Sequence, residues 1–350
     1  MMTSRCLGSL ASGESVEAYT LTNAAGAAVQ VLTYGGIVTS LRVPDRHGGF
    51  ADVVLGFDDL ASYASGHPFF GAIIGRIAGR VSGGRLTVEG RDFQLPRNEG
   101  NNHLHGGRVG FDRRVWTARP QPRADGAESL RLTYRSPEGE EGYPGAVDLA
   151  VTYTLTPAHA LWIETEAVAD RTTAVNLTHH SYFNLAGEGA GTVAEHELQI
   201  LAEELVPTDE AMTLSGRREP VAGKAGDFRR PRRLGEAMPQ LFKAHGDLYL
   251  LRAPGAAAPP APTLAARLVE PRSGRVLEVF TDESCLQFYT GYALDGTRVG
   301  KSGRAYGPHA GLCLECEGYS DGASRPDLGD ILVRPGQPQR RTTIYAFSAR

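Results

Sequence analysis

"VDLAVTYTLT", residues 147–156, and "LWIETEAV", residues 161–168, are separated only by "PAHA". Both runs are short and rich in Val, Leu, Thr and other strand-forming residues, and Pro157 stands in the break between them. A gap of that size joins neighbouring antiparallel strands. The same pattern recurs outward along the chain in "VQVLTYGGIVTSLRV", "RLTVEGRDFQL", "LRLTYRS" and "RVLEVFTD". Glu89-Gly90 inside "VEGRDF" reads as a tight hairpin turn. Helical periodicity is scarce, with short helices expected only near "FDDLASYAS" and "PRRLGEAMPQLF". The expectation is an all-β fold, a large sandwich or barrel.

No repeat of solenoid or propeller spacing appears. The one low-complexity piece, "APGAAAPPAPT" (253–263), lies between the candidate strands "LYLL" and "LAARLVE". It reads as a long surface hairpin loop rather than a linker, so the whole chain, 1–350, is expected to form a single domain. A formal net charge of -4, with 41% hydrophobic and 22% charged residues, is that of an ordinary soluble protein. Nothing in it points to nucleic acid or to a membrane surface. No apolar run approaches the ~20 residues that span a bilayer. The N-terminal stretch lacks a secretory apolar core, and a cytoplasmic location is expected. Cys313 and Cys316 form a C-x-x-C pattern, but strand alternation sends residues three apart to opposite faces. Free thiols fit a reducing compartment.

"NLTHHSYFNLAG" (176–187) sets two adjacent histidines in a stretch that favours a strand. If it is extended, Asn176, Thr178, His180, Tyr182 and Asn184 share one face. Leu177, His179, Ser181, Phe183 and Leu185 share the other. The first face is polar throughout and suggests the floor of a wet cavity, leaving His179 structural. "NNHLHGG" admits two readings, a pair of metal-binding rings at His103 and His105, or a turn with one functional imidazole. Glu315 sits inside the apolar "GLCLECEGY", where a charge is costly. Either it pairs with an arginine such as Arg80 or Arg304, or it is held as a general base. Gln287, the "FYTGYALDG" segment and Asp247 offer the mixture of aromatic, amide and carboxylate groups that suits a carbohydrate.

Eight segments, "GRIAGRVSGGR", "NNHLHGG", "GFDRRVW", "SPEGEEGYPG", "NLTHHSYFNLAG", "LQFYTGYALDG", "GLCLE" and "VRPGQPQRRTTIYAFS", occur in an order that resembles the aldose 1-epimerase (galactose mutarotase) family. The resemblance implies a mutarotase-like β-sandwich with a curved sheet and an open sugar-binding cleft. It implies interconversion of the α and β anomers of free aldohexoses such as galactose and glucose, with no cofactor and no metal. Carried over residue by residue, it makes Glu315 the catalytic base, His180 the catalytic acid and His105 a histidine near the ring oxygen. Arg80, Asp247 and Gln287 become substrate contacts. Tyr182 shares the polar face with His180 and is placed with them. Gly79 stands where the family commonly has Asn, so a hydroxyl contact is expected to be lost there. Leu248 follows Asp247 where the family often has His, and Glu317 stands where Gln is usual. Two like charges so close predict that Glu317 raises the pKa of Glu315. The partner expected is a small aldose, handled by a monomer or homodimer. The rivals are a hexose-phosphate epimerase using the basic run "RRPRR" (229–233), a glycoside hydrolase using Glu315 with Asp247, and a sugar-binding protein without catalysis.

Overall fold

In the computed structural model, residues 1–121, 125, 127–252, 261–325 and 327–350 are described. "VDLAVTYTLT" and "LWIETEAV" form the strands Val147–Leu155 and Ala160–Ala169, paired antiparallel as expected. They lie inside a nine-stranded sheet. On one side follow Glu128–Ser136 and Thr117–Pro120, and on the other Gln339–Ala349, Arg275–Thr281, Thr263–Val269, Glu197–Ile200 and Arg232–Arg233. Two five-stranded sheets accompany it. One takes the first five strands in chain order, Met2–Ser9 to Phe50–Asp52. The other runs Glu219–Pro220, Glu204–Val206, Leu248–Leu250, Cys285–Tyr289, Cys313–Glu317.

Alternation explains the layering. One apolar cluster takes Leu132, Val151, Ile163 and Leu277 from the nine-stranded sheet, Val29 and Val31 from the first smaller sheet, and Leu286, Phe288 and Leu314 from the second. The core therefore lies between the large sheet and the two smaller ones. Tyrosine hydroxyls bridge the layers, Tyr153 donating to Gly36 O at 2.6 Å and Tyr345 to Leu314 O at 3.1 Å. On the outer face of the large sheet, Glu166 takes Arg131 at 3.1 Å and Arg340 at 2.6 Å, a cross-strand charge ladder that leaves that face wet.

The turn at Glu89-Gly90 joins Arg85–Val88 to Arg91–Gln94 with both central residues at positive φ (49° and 76°), the geometry that twists correctly for a two-residue hairpin. The two helical expectations appear as Leu60–Ala64, capped by Asp59, and Leu234–Ala237. The loop expected over 253–263 falls largely outside the described residues. Its flanking strands are not hairpin partners, because Leu248–Leu250 and Thr263–Val269 belong to different sheets. Propensity located the strands but could not say which sheet each would join. No helix among the described residues is long and apolar enough to cross a membrane.

Candidate active site

The strand Cys313–Glu317 is buried along its whole length. Alternation turns Leu314 and Cys316 into the main core and Cys313, Glu315 and Glu317 to the opposite face. Gln287 is paired directly with Glu315 across the neighbouring strand and projects with it. Both, with Glu317, line a cavity of about 250 Å³, smaller than the ~300–1,000 Å³ typical for drug-sized ligands.

The extended segment 176–187 lies against this strand, and its polar face is not the wet floor that the sequence suggested. Asn176 receives Gly318 N–H at 2.7 Å and donates to Gly318 O at 3.1 Å. Thr178 donates to Cys316 O at 2.8 Å, and Asn184 to Ala310 O at 2.9 Å. These three polar groups are buried and bind the segment to its neighbours by satisfying backbone groups. Only His180 and Tyr182 reach the cavity. His179 turns away toward the rings of Tyr153 and Tyr345 and meets Ser181 Oγ at 2.7 Å.

His180 Nε2 stands 3.4 Å from Glu315 Oε2, both groups almost fully buried. Neither arginine weighed for Glu315 is its partner. Arg80 grips Glu99 through two bonds of 2.6 Å, and Arg304 donates to Gly189 O. Burial raises the Glu315 carboxyl to about 8, with Arg80 opposing, and lowers the His180 imidazole to about 4. Glu317 is raised by burial first and then by the charges of Glu315 and Glu283, and its Oε2 has no hydrogen-bond partner among the described residues.

The turn reading of "HGG" is the observed one. His103 is sealed off, holding Pro96 O at 2.8 Å and Tyr143 Oη at 2.6 Å. His105 sits at φ 52° on the cavity wall. Its Nδ1 accepts the Gly79 N–H at 3.1 Å, so in the neutral ring Nε2 carries the proton. Burial and the nearby His180 keep it neutral. His105, His180 and Glu315 bring donor atoms within 4.8 Å of one another, close enough for a metal ion. A metal-bound histidine donates its second N–H to an acceptor. His105 does the reverse, one nitrogen receiving an N–H and the other carrying a hydrogen, so this donor set does not suit a metal.

Gly79 has φ 75°, and a Cβ there would lie 2.1 Å from Ser320 Oγ and 3.5 Å from Glu317 Oε1. Ser320, also on the cavity wall, occupies the space a side chain at position 79 would need. Arg80, Gly79, Tyr182 and Gln287 all line the cavity. Asp247 does not. Its Oδ2 would be 2.9 Å from a Cβ on Gly226, and burial raises its pKa to about 6. His245 stands at the cavity wall instead. The chain turns between them at Gly246, φ 107°, whose missing side chain lets the backbone approach Phe288 O. Asp247 was expected from its residue type and from the family resemblance, and neither registers that turn. Glu99, His245 and Ser320 were not found from the sequence; the turn-forming glycine in "AHGDLYLL" was the one available signal for His245.

The family model described as aldose 1-epimerase matches residues 17–346. A galactose mutarotase of Rattus norvegicus is 43% identical over 322 residues, covering 91% of each chain. The aldose 1-epimerase of Escherichia coli is 33% identical over 344 residues, 96% of each. Among solved structures, a galactose 1-epimerase from Lactobacillus acidophilus superposes with a TM-score of 0.85 at 29% identity, covering 100% of this chain and 99% of the other. Sequence and fold agree, and the chain belongs to the aldose 1-epimerase family.

Proposed function

We propose that Glu315 and His180 act as base and acid in the reaction of this family, the interconversion of α and β anomers of an aldose. The observation that carries the assignment is their 3.4 Å approach in a buried cavity. Ring opening takes the proton from the anomeric hydroxyl and gives one to the ring oxygen as C1–O5 breaks. Rotation about C1–C2 then presents the other carbonyl face, and closure reverses both transfers. Opening starts from carboxylate and imidazolium and ends with carboxylic acid and neutral imidazole. Burial favours that neutral pair, so the environment of the two groups favours the proton positions reached in the open-chain complex.

Nε2–H of His105 and the Arg80 guanidinium supply donors for the oxygen whose charge changes. Glu99 fixes the Arg80 side chain through its paired bonds. Tyr182 stacks on His180, ring centroids 5.2 Å apart, and holds the acid in place. Gln287 and the space beside Gly79 complete the wall against a free aldohexose such as galactose or glucose. The four cysteines are free thiols, which supports the cytoplasmic reading.

The test is polarimetry of freshly dissolved α-D-galactose. The parent should accelerate the decay of rotation, and His180→Ala and Glu315→Ala should each lose ~10²–10⁴ of that rate. Full activity in either variant would remove that residue from the assignment.

A further inference from the structure

We propose that His245 sets sugar preference by accepting a hydrogen bond at Nε2 from one ring hydroxyl of the substrate. The inference rests on the reading of this cavity as the aldose site. The backbone fixes the tautomer. His245 Nδ1 lies 3.0 Å from Gly246 O, a group that only accepts, so Nδ1 carries the hydrogen and Nε2 the lone pair. Among the described residues Nε2 has no partner, and it is not one of the buried polar atoms sealed away without one. It therefore opens onto the cavity that the residue lines.

The ring is held in that pose. Tyr289 and Tyr292 lie 5.0 and 5.7 Å from it, centroid to centroid. Burial lowers its pKa to about 4, so the lone pair is free near neutrality. The surroundings make an acceptor here informative. Arg80 and the Nε2–H of His105 are donors, and both bonds of Glu99 go to Arg80. A hydroxyl between these groups gives its hydrogen to His245 and receives one from a donor, satisfying both of its roles. A neutral ring does this without bringing a further charge into the cavity. A sugar lacking that hydroxyl leaves the nitrogen unpaired, and a site built around a hydroxyl rejects such an analogue strongly.

The experiment measures kcat and KM for D-galactose and for the series of monodeoxygalactoses, with the parent, His245→Leu and His245→Asn. The leucine variant should raise KM for galactose about three- to tenfold, with a smaller change in kcat. For one deoxysugar alone, parent and variant should show the same KM, which identifies the hydroxyl. Asparagine, whose side-chain oxygen accepts, should recover part of the loss. If the leucine variant does not fold, the same comparison with asparagine decides the matter. An equal KM penalty across every deoxysugar, or a loss confined to kcat, would overturn the proposal and leave the ring as packing for the tyrosines. A parent inactive on every free aldose would overturn the epimerase assignment itself, a failure visible before any variant is made.

Discussion

His180 and Glu315 meet at 3.4 Å with both side chains nearly sealed from water, and burial acts on them in opposite directions. The carboxyl rises to about 8 and the imidazole falls to about 4. Between those values the pair holds one proton. Below about 4 it gains a second and no base remains; above about 8 it loses its only one and no acid remains. A plot of kcat/KM against pH for galactose should therefore be bell-shaped, with limbs near those two values belonging to the pair as a unit. A single limb at the ordinary histidine value, with no alkaline fall, would show that the two titrate independently.

The same burial has a cost in stability. The Glu315 carboxyl has a folded-state pKa above its ordinary 4.5, so between 4.5 and about 8 the folded chain keeps a proton that the unfolded chain releases. Its contribution is complete below 4.5 and is lost as pH rises toward 8. Glu315→Gln has no such titration. The variant should melt above the parent, and the gap should widen between pH 5 and pH 8 in paired calorimetric scans. A gap that stays constant across that range would mean that Glu315 ionises in the folded protein as readily as in the unfolded one.

Much of this architecture is legible in the sequence because strands announce themselves locally. "VDLAVTYTLT" and "LWIETEAV" form a hairpin inside the large sheet, and Glu89-Gly90 turns the separate hairpin of Arg85–Val88 and Arg91–Gln94. Glu315 stands out because a carboxylate in an apolar strand needs a reason. Alternation correctly sends His180 and His179 to opposite sides. Residue type and resemblance chose Asp247, and neither registers a local turn. The turn at Gly246 places His245, not Asp247, in the cavity. Asn176, Thr178 and Asn184 looked like a wet face because composition does not reveal that the neighbouring strand's backbone would satisfy them. The Arg80–Glu99 bond was hidden because nothing local marks the carboxylate that a given arginine will choose.

A phosphorylated sugar should be a poor substrate. Among the described residues Arg80 is the arginine on the cavity wall, and Glu99 already engages it. The run "RRPRR" does not line the cavity. Arg229 pairs with Asp227 and Glu203, Arg233 with Glu195, and Arg232 donates to Ala225 O. A phosphate dianion therefore meets no uncommitted arginine on the wall among the described residues, and burying its charge there is costly. The kcat/KM for glucose 6-phosphate should fall at least about tenfold below that for glucose. Equal values would require a cation that swings into the cavity and would revive the hexose-phosphate reading.

Glu317 sharpens the view of the pair. Glu315 loses its proton first, and its charge then hinders Glu317. Glu317 is thus neutral while Glu315 titrates and exerts little charge upon it. The alkaline limb of Glu317→Gln should coincide with that of the parent. A shift of the limb to lower pH in the variant would show that Glu317 is ionised at neutrality and was raising the pKa of Glu315.

Gly79 links backbone strain to the acid–base group. At φ 75° it occupies a region costly to other residues, and a Cβ would press on Ser320 Oγ at 2.1 Å. Its N–H also fixes the His105 tautomer. Gly79→Ala should lose roughly 1–3 kcal/mol of stability and lower kcat/KM as the backbone shift tilts His105. Ser320→Gly placed in that background removes the side-chain contact but not the backbone cost, so it should restore only part of the stability. A double-mutant cycle with denaturation and kinetics on all four proteins separates the two. Zero coupling between the sites would mean that Ser320 does not fill the space beside Gly79. Full recovery by the serine change would mean that the contact, not the positive φ, is what requires glycine there.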